Sequence, residues 1–410
     1  MRIVYLSPSG QLGGAETSLR EILSAVRVTE PDWELWLILG QDGPLAEQAR
    51  QLGVQVKVLP FPRGVARIGE SNNGRLRTLL SLLSQVVSVA TYVRSLAQLL
   101  KKVQADIIHT NGLKMHVLGA LAHPKASQLV WHIHDYVSRR PVMRYALQFL
   151  RKSAHAVIAN SFSVANDLRS ILPGSHVVTI HNAVDLERFT PEGRRLDLDS
   201  LAQLPASPAG TVRVGLVATF ARWKGHLQFL RALSEISAEI AVRGYVIGGP
   251  IYETSAGQWS AEELREEVNR LGLKDRVGFT GFVQDTPAAM RALDVVVHAS
   301  TEPEPFGMVL IEAMACERAV IASPCGGPAE IIEDGVTALA HETGSSSSLA
   351  FQIRRAASSK ELRETLGKNA RKVVEYKFHK AKLGREVTEL YRQVLSPSFD
   401  QGRQFQASGI

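Results

Sequence analysis

A chain of 410 residues, 45% hydrophobic and 21% charged, has the balance of a globular protein with room for two or three domains. Disordered, collagenous and coiled-coil classes are excluded, and two cysteines, Cys316 and Cys325, cannot build a disulfide framework. The net charge of +7 is unevenly placed: sixteen basic residues oppose three acidic ones between Arg50 and Lys152, a local excess of thirteen.

Short Val-, Ile- and Leu-rich runs alternate with helical periodicity along the chain. They predict strands at 2–6, 34–39, 54–58, 106–109, 129–133, 156–159 and 177–180 in the first half. The second half has candidates at 212–217, 242–247, 276–280, 294–297 and 319–322. Continuous apolar strands separated by helices indicate parallel sheets covered on both faces. Two such sets predict two doubly wound α/β domains, each with ligand sites at the carboxyl ends of its strands.

Pro191, Gly193, Pro205, Pro208 and Gly210 mark the break between the halves. The expected domains are 1–190 and 205–378, with a helix at about 380–396 returning to the first. Residues 78–100 have polar positions every three or four residues and a broad apolar face. Packing on the first sheet is expected, with an in-plane membrane helix as the alternative. Residues 343–348 read as a loop ending in a helix cap, and the chain after Pro397 as loose.

The opening residues read as strand and loop, not as a secretion signal. The apolar stretch between Arg77 and Arg94 is shorter than the ~20 residues of a spanning helix. A soluble, cytoplasmic chain is expected, with association at the inner membrane face kept open. The basic excess draws anions, whether a membrane surface or a phosphorylated acceptor; the bland reading is a solvated face. Nucleic acid is not an expected partner, since aromatics do not interleave the basic residues.

The densest chemistry lies at 302–316, Glu-Pro-Glu-Pro-Phe-Gly-Met-Val-Leu-Ile-Glu-Ala-Met-Ala-Cys. A strand, a glycine turn at Gly307 and a helix from Met308 form an anion site, because first-turn amides lack intrahelical acceptors. Glu304 in the loop and Glu312 on the helix can accept hydrogen bonds from vicinal hydroxyls. Alone, these would be a capping glutamate and a solvent-facing one. Arg222 and Lys224, however, follow strand 212–217, where two cations suit a diphosphate. Gly248-Gly249-Pro250, Gly281-Phe282-Val283 and Gly326-Gly327-Pro328 follow further strands on the same expected rim.

This set resembles the family 4 retaining glycosyltransferases of the two-Rossmann-domain GT-B type. The specific signature is Glu304-x7-Glu312 within Glu-Pro-Phe-Gly-x4-Glu-Ala. Gly13-Gly14-Ala15-Glu16, His134-Asp135, Asn160-Ser161, Asn182-Ala183-Val184-Asp185, Arg222-Trp223-Lys224-Gly225 and Gly326-Gly327-x-x-Glu330 support it in order along the chain. The resemblance implies two Rossmann-like domains facing across a cleft, with the nucleotide-sugar donor in the second and the acceptor in the first. It implies that Arg222 and Lys224 hold the diphosphate without a metal, assisted by amides of Phe306, Gly307, Met308 and Val309. Glu312 would hold the ribose, Glu304 the transferred sugar, and His134 would lie near that sugar. Gly13, Gly14, Gly248 and Val283 would complete the donor site. The donor is UDP-, GDP- or ADP-linked and no cofactor is implied. A glycan or lipid-linked acceptor would meet Arg63, Arg67, Arg139 and Arg140.

Ala183 and Ala338 stand where the family often has glycine, away from the charged donor residues. Asp197-Leu198-Asp199 mimics a metal-binding pair but reads as a solvated loop, and His109, His123, His132, His155, His176, His181 and His298 match no zinc spacing. Two alternatives share the architecture: a sugar-nucleotide epimerase and a non-catalytic sugar-nucleotide-binding protein.

Overall fold

The computed structural model describes residues 1–62, 79–250, 257–397 and 399, with the side chains of 79–85 excepted. The chain divides into two compact units, Met1–Ala183 with the segment from Lys380 on, and Val184–His379.

In the first unit the elements are β1 (Arg2–Ser7), α1 (Gly14–Thr29), β2 (Glu34–Leu39), α2 (Pro44–Gln51), β3 (Gln55–Val58), α3 (Leu79–Val103), β4 (Ile107–Asn111) and α4 (Leu113–Ala122). They continue through β5 (Gln128–Ile133), α5 (Pro141–Leu150), β6 (Ala156–Ala159), α6 (Phe162–Ile171) and β7 (Val177–Thr179). Among the described residues the seven strands form one parallel sheet in the order β3-β2-β1-β4-β5-β6-β7. The central strands are buried along their length, as their unbroken apolar runs require. On one face Tyr92, Leu96 and Leu100 of α3 pack into a core shared with α4, α5 and α6, which bears out the core-packing expectation for the second half of that helix. Val86 and Val87 are exposed, and the part of the expectation on the side chains of 78–85 lies outside the described residues.

The opposite face is covered by α1, α2 and the chain's last long helix. Alternating strands and helices fill the second unit: α7 (Leu198–Leu201), β8 (Val212–Val217), α8 (His226–Ser234), β9 (Val242–Ile247), α9 (Ala261–Arg270), β10 (Val277–Gly281), α10 (Thr286–Ala292) and β11 (Val295–His298). After these come α11 (Met308–Ala315), β12 (Ala319–Ala322), α12 (Pro328–Ile331), β13 (Leu339–Ala340), α13 (Ser346–Ser358) and α14 (Lys360–Lys377). The final helix, α15 (Lys380–Leu395), belongs to the first unit. Gly384 permits its close approach to α1, since a Cβ there would run into Thr29 Oγ1 and the Ala25 carbonyl. The Tyr391 hydroxyl shares a 2.7 Å hydrogen bond with His109 Nδ1.

The second unit's described strands form a parallel sheet in the order β10-β9-β8-β11-β12-β13. Strand β13 has two residues, too short for a periodic signal. The expected cap at 343–348 is present, with Ser345 Oγ accepting from Ser348 N–H at 3.2 Å. One expectation is overturned. Asp199 is not in a solvated loop but 4% exposed, its carboxylate accepting from Arg243 Nη1 (2.7 Å), Tyr245 OH (2.6 Å) and Ser207 Oγ (2.7 Å). Burial works against the charge, yet these donors hold the carboxyl well below its ordinary range. Asp197 caps α7 through Ser200 N–H at 3.0 Å. Both carboxylates are thus committed to the fold.

Candidate active site

Strand β11 ends at His298, and the chain turns through 299–307 before α11 begins. Backbone contacts fix Glu304 in this turn: its N–H donates to Cys325 O at 3.1 Å and its carbonyl accepts from Gly327 N–H at 2.8 Å. The residue is 7% exposed, and both carboxylate oxygens have partners. Oε1 accepts from Lys224 Nζ at 2.6 Å, while Oε2 meets His298 Nε2 at 2.6 Å and accepts from Ser300 Oγ at 2.8 Å. Burial alone would raise the Glu304 pKa. The charges and hydrogen bonds of Lys224 and His298 outweigh it, hold the carboxyl well below the usual range and keep it ionised.

Lys224 reaches this carboxylate because β8 leads into a single 3₁₀ turn, Arg222–Lys224. Gly225 follows at φ 79°, and a Cβ there would collide with the Ala299 carbonyl. Only glycine allows that approach. Thr301 N–H donates to Trp223 O at 2.8 Å, tying the turn to the loop that carries Glu304. Arg222 engages other partners: its guanidinium stacks 3.8 Å from the Trp259 ring centroid and lies 3.3 Å from Glu263 Oε1. The structure therefore joins Lys224 to Glu304 and gives Arg222 a separate aromatic shelf.

Gly307 caps α11 at φ 102°, and Met308, Val309 and Glu312 on that helix are half-buried. Phe306 is a core residue, 3% exposed and 5.9 Å from the Phe378 ring. Only its backbone is available to a ligand. Gly248, at φ 132°, lets β9 end against the Ala218 carbonyl, and Val283 is half-buried beyond β10.

In the first unit, a Cβ at Gly14 would meet open space and one at Gly13 only the flexible Glu16 carboxylate. The fold itself does not demand glycine at either position. His134 follows β5, its Nε2 2.6 Å from Asn111 Oδ1. The Asn111 amide nitrogen donates to Ala15 O at 3.3 Å, which orients Oδ1 toward the ring. Nε2 is then the donor, and Nδ1 has no hydrogen-bond partner among the described residues. Burial pushes the His134 pKa down to about 4, so the ring is neutral at pH 7. Arg140 Nη2 pairs with Asp135 Oδ2 at 2.8 Å, and Arg139 lies 5.2 Å from the Tyr136 ring centroid. Arg63 and Arg67 lie outside the described residues.

His298, Ser300, Trp259 and Glu263 escaped the sequence reading. His298 was set aside for want of zinc spacing. Its place as the last residue of the strand feeding the Glu304 loop was the usable signal, since ligands gather at strand carboxyl ends. Among the described residues no group of three or more His, Cys, Asp or Glu side chains is placed to hold a metal ion.

Two Rossmann-like parallel α/β units, with a buried lysine–glutamate pair at strand ends of the second, define a glycosyltransferase of the GT-B class. Residues 204–373 match the family model "Glycosyl transferases group 1", and residues 44–188 match "Glycosyltransferase Family 4". The chain belongs to the family 4 glycosyltransferases. Alpha-maltose-1-phosphate synthase of Mycobacterium tuberculosis is 28% identical over 352 residues, 80% of this chain and 86% of that protein. N-acetyl-alpha-D-glucosaminyl L-malate synthase of Bacillus anthracis is 24% identical over 310 residues, 73% of this chain and 78% of that one. HepE of Anabaena, crystallised with UDP and glucose, superposes with a TM-score of 0.77 at 28% identity, covering 96% of this chain and 99% of that one.

Proposed function

We propose that this protein is a retaining glycosyltransferase that moves a sugar from a UDP-linked donor to a glycan or lipid-linked, anionic acceptor at a membrane surface. The observation that carries this reading is the Lys224–Glu304 pair, backed by His298 and set within the Glu304-x7-Glu312 spacing. Support for UDP comes from HepE, which has been crystallised with UDP and with UDP-glucose.

Lys224 and Arg222 hold the donor diphosphate and stabilise the charge that builds as the bond between the anomeric carbon and the phosphate oxygen breaks. First-turn amides of α11 add the positive helix end. Glu304, ionised and held at Oε2 by His298 and Ser300, accepts hydrogen bonds from the sugar hydroxyls. Glu312 takes the ribose hydroxyls. In the first unit, neutral His134 is held by Asn111, and Arg139 and Arg140 meet the acceptor's negative charge. The acceptor oxygen bonds to the anomeric carbon on the face the diphosphate leaves, and a departing phosphate oxygen takes its proton. Configuration is retained without a divalent ion.

The test offers labelled UDP-, GDP- and ADP-sugars with glycan and lipid-phosphate acceptors, and reads product and anomeric configuration by NMR. Label in an α-linked product from an α-linked donor is expected. Epimerised free sugar would establish the epimerase instead, and binding without turnover the non-catalytic reading.

A further inference from the structure

In the first unit, α5 buries Leu147 completely, while Val142, Tyr145 and Phe149 on the same helix are 75%, 69% and 85% exposed. Spacings of three and four residues place those three on one outward stripe. Single exposed hydrophobics are ordinary, but an aligned stripe ending in two aromatics marks a contact surface. From Asp135 to Asp167 the chain carries Arg139, Arg140, Arg144, Arg151 and Lys152 against the two flanking aspartates, of which Asp135 pairs with Arg140. Arg139, Arg140 and Lys152, at the two ends of the helix, are exposed. An apolar stripe bounded at both ends by cations has the chemistry of an interfacial helix.

We infer that α5 docks the protein on an anionic lipid bilayer, with Val142, Tyr145 and Phe149 entering the headgroup boundary and the flanking cations meeting lipid phosphates. This deepens the reading of a membrane-surface acceptor and rests on it. A second copy of the chain fits the stripe poorly. A two-fold contact would set the same net-basic stretch against itself. Three side chains on a ten-residue helix also fall well short of the ~800 Å² per partner of a stable interface.

The experiment measures co-sedimentation of the full chain with phosphatidylcholine vesicles, with and without phosphatidylglycerol, at low and high salt. Binding to the anionic vesicles alone, weakened by salt, is expected. The Val142→Ser/Tyr145→Ser/Phe149→Ser variant should bind about tenfold or more weakly, with unchanged UDP affinity. Arg151→Gln/Lys152→Gln should bind several-fold more weakly. Should the triple variant fail to fold, Tyr145→Trp keeps the stripe apolar, and the indole emission of that variant should shift to the blue on anionic vesicles. Three vesicle results would overturn the inference: no binding by the unmodified chain, wild-type binding by a folded triple variant, or unshifted emission from the Tyr145→Trp variant. A concentration-dependent dimer dissolved by the triple variant would overturn it in favour of self-association. UDP affinity is scored separately: its absence in the unmodified chain counts against the proposed donor and leaves the vesicle result to judge the docking face.

Discussion

Lys224 Nζ lies 2.6 Å from Glu304 Oε1 although 80 residues separate them in sequence. The lysine sits after β8 and the glutamate after β11, and these strands are hydrogen-bonded neighbours in the sheet. A donor diphosphate entering here would meet an ammonium already oriented by a buried carboxylate, so little reorganisation is needed when charge develops.

Lys224→Ala should cost ~2–4 kcal/mol of transition-state stabilisation, expressed mainly in kcat. The resting enzyme should also melt lower, because Glu304 stays buried with one cation fewer. Turnover assays beside calorimetry separate the two effects, and near wild-type kcat would remove Lys224 from the chemistry.

Arg222→Ala should behave differently. Its ion pair with Glu263 is exposed and its stacking partner Trp259 lies near the surface. Each is worth ~1 kcal/mol or less. Stability should therefore hardly change while kcat falls. A large drop in melting temperature with kcat preserved would assign Arg222 to structure.

Gly225→Ala probes the joint between the two loops. The new Cβ would enter the Ala299 carbonyl from a left-handed backbone. Strain of this kind costs ~1–3 kcal/mol before the collision is added. Lower melting and weaker UDP binding should appear together in thermal-shift titrations; an unperturbed variant would mean that the 222–225 turn does not position Lys224.

Activity should survive EDTA, since Lys224, Arg222 and a helix terminus supply the positive charge. Complete loss on chelation, restored by manganese or magnesium, would require a metal that this reading omits.

Acid should destabilise the first unit, where burial lowers four histidines, more than the second, where it lowers His226 to about 4 and lowers His341 as well. Burial pushes His109 down to about 3 and His134 to about 4, and sends His116 and His132 well below their ordinary value of 6.5. Unfolded, each takes up a proton near pH 6.5; folded, each stays neutral well below it. The unfolded chain then binds more protons, so stability falls as pH drops from about 6.5 toward about 4. Each histidine contributes up to ~1.4 kcal/mol per pH unit. Glu304 has its pKa lowered from 4.5, so its contribution is full above that pH and is lost only below it. Neither His132 ring nitrogen has a hydrogen-bond partner among the described residues, so His132→Leu strips no donor or acceptor there of its partner and should flatten the decline. An unchanged slope in melting against pH would refute the assignment.

The sequence by itself determined the strand positions other than two-residue β13, the two α/β halves and the strand–turn–helix that carries Glu304 and Glu312. Strand runs, glycine turns and caps are local, and their signals are written in neighbouring residues. Tertiary structure alone decided which groups meet. The register of β8 beside β11 brings Lys224 to Glu304, and the end of β11 brings His298 to the second carboxylate oxygen. Asp199 looked solvated because its partners Arg243 and Tyr245 stand on a strand more than forty residues away. Tyr391 reaches His109 across most of the chain. Each contact depends on how strands pair and helices return to the sheets, and a linear pattern does not encode such distances.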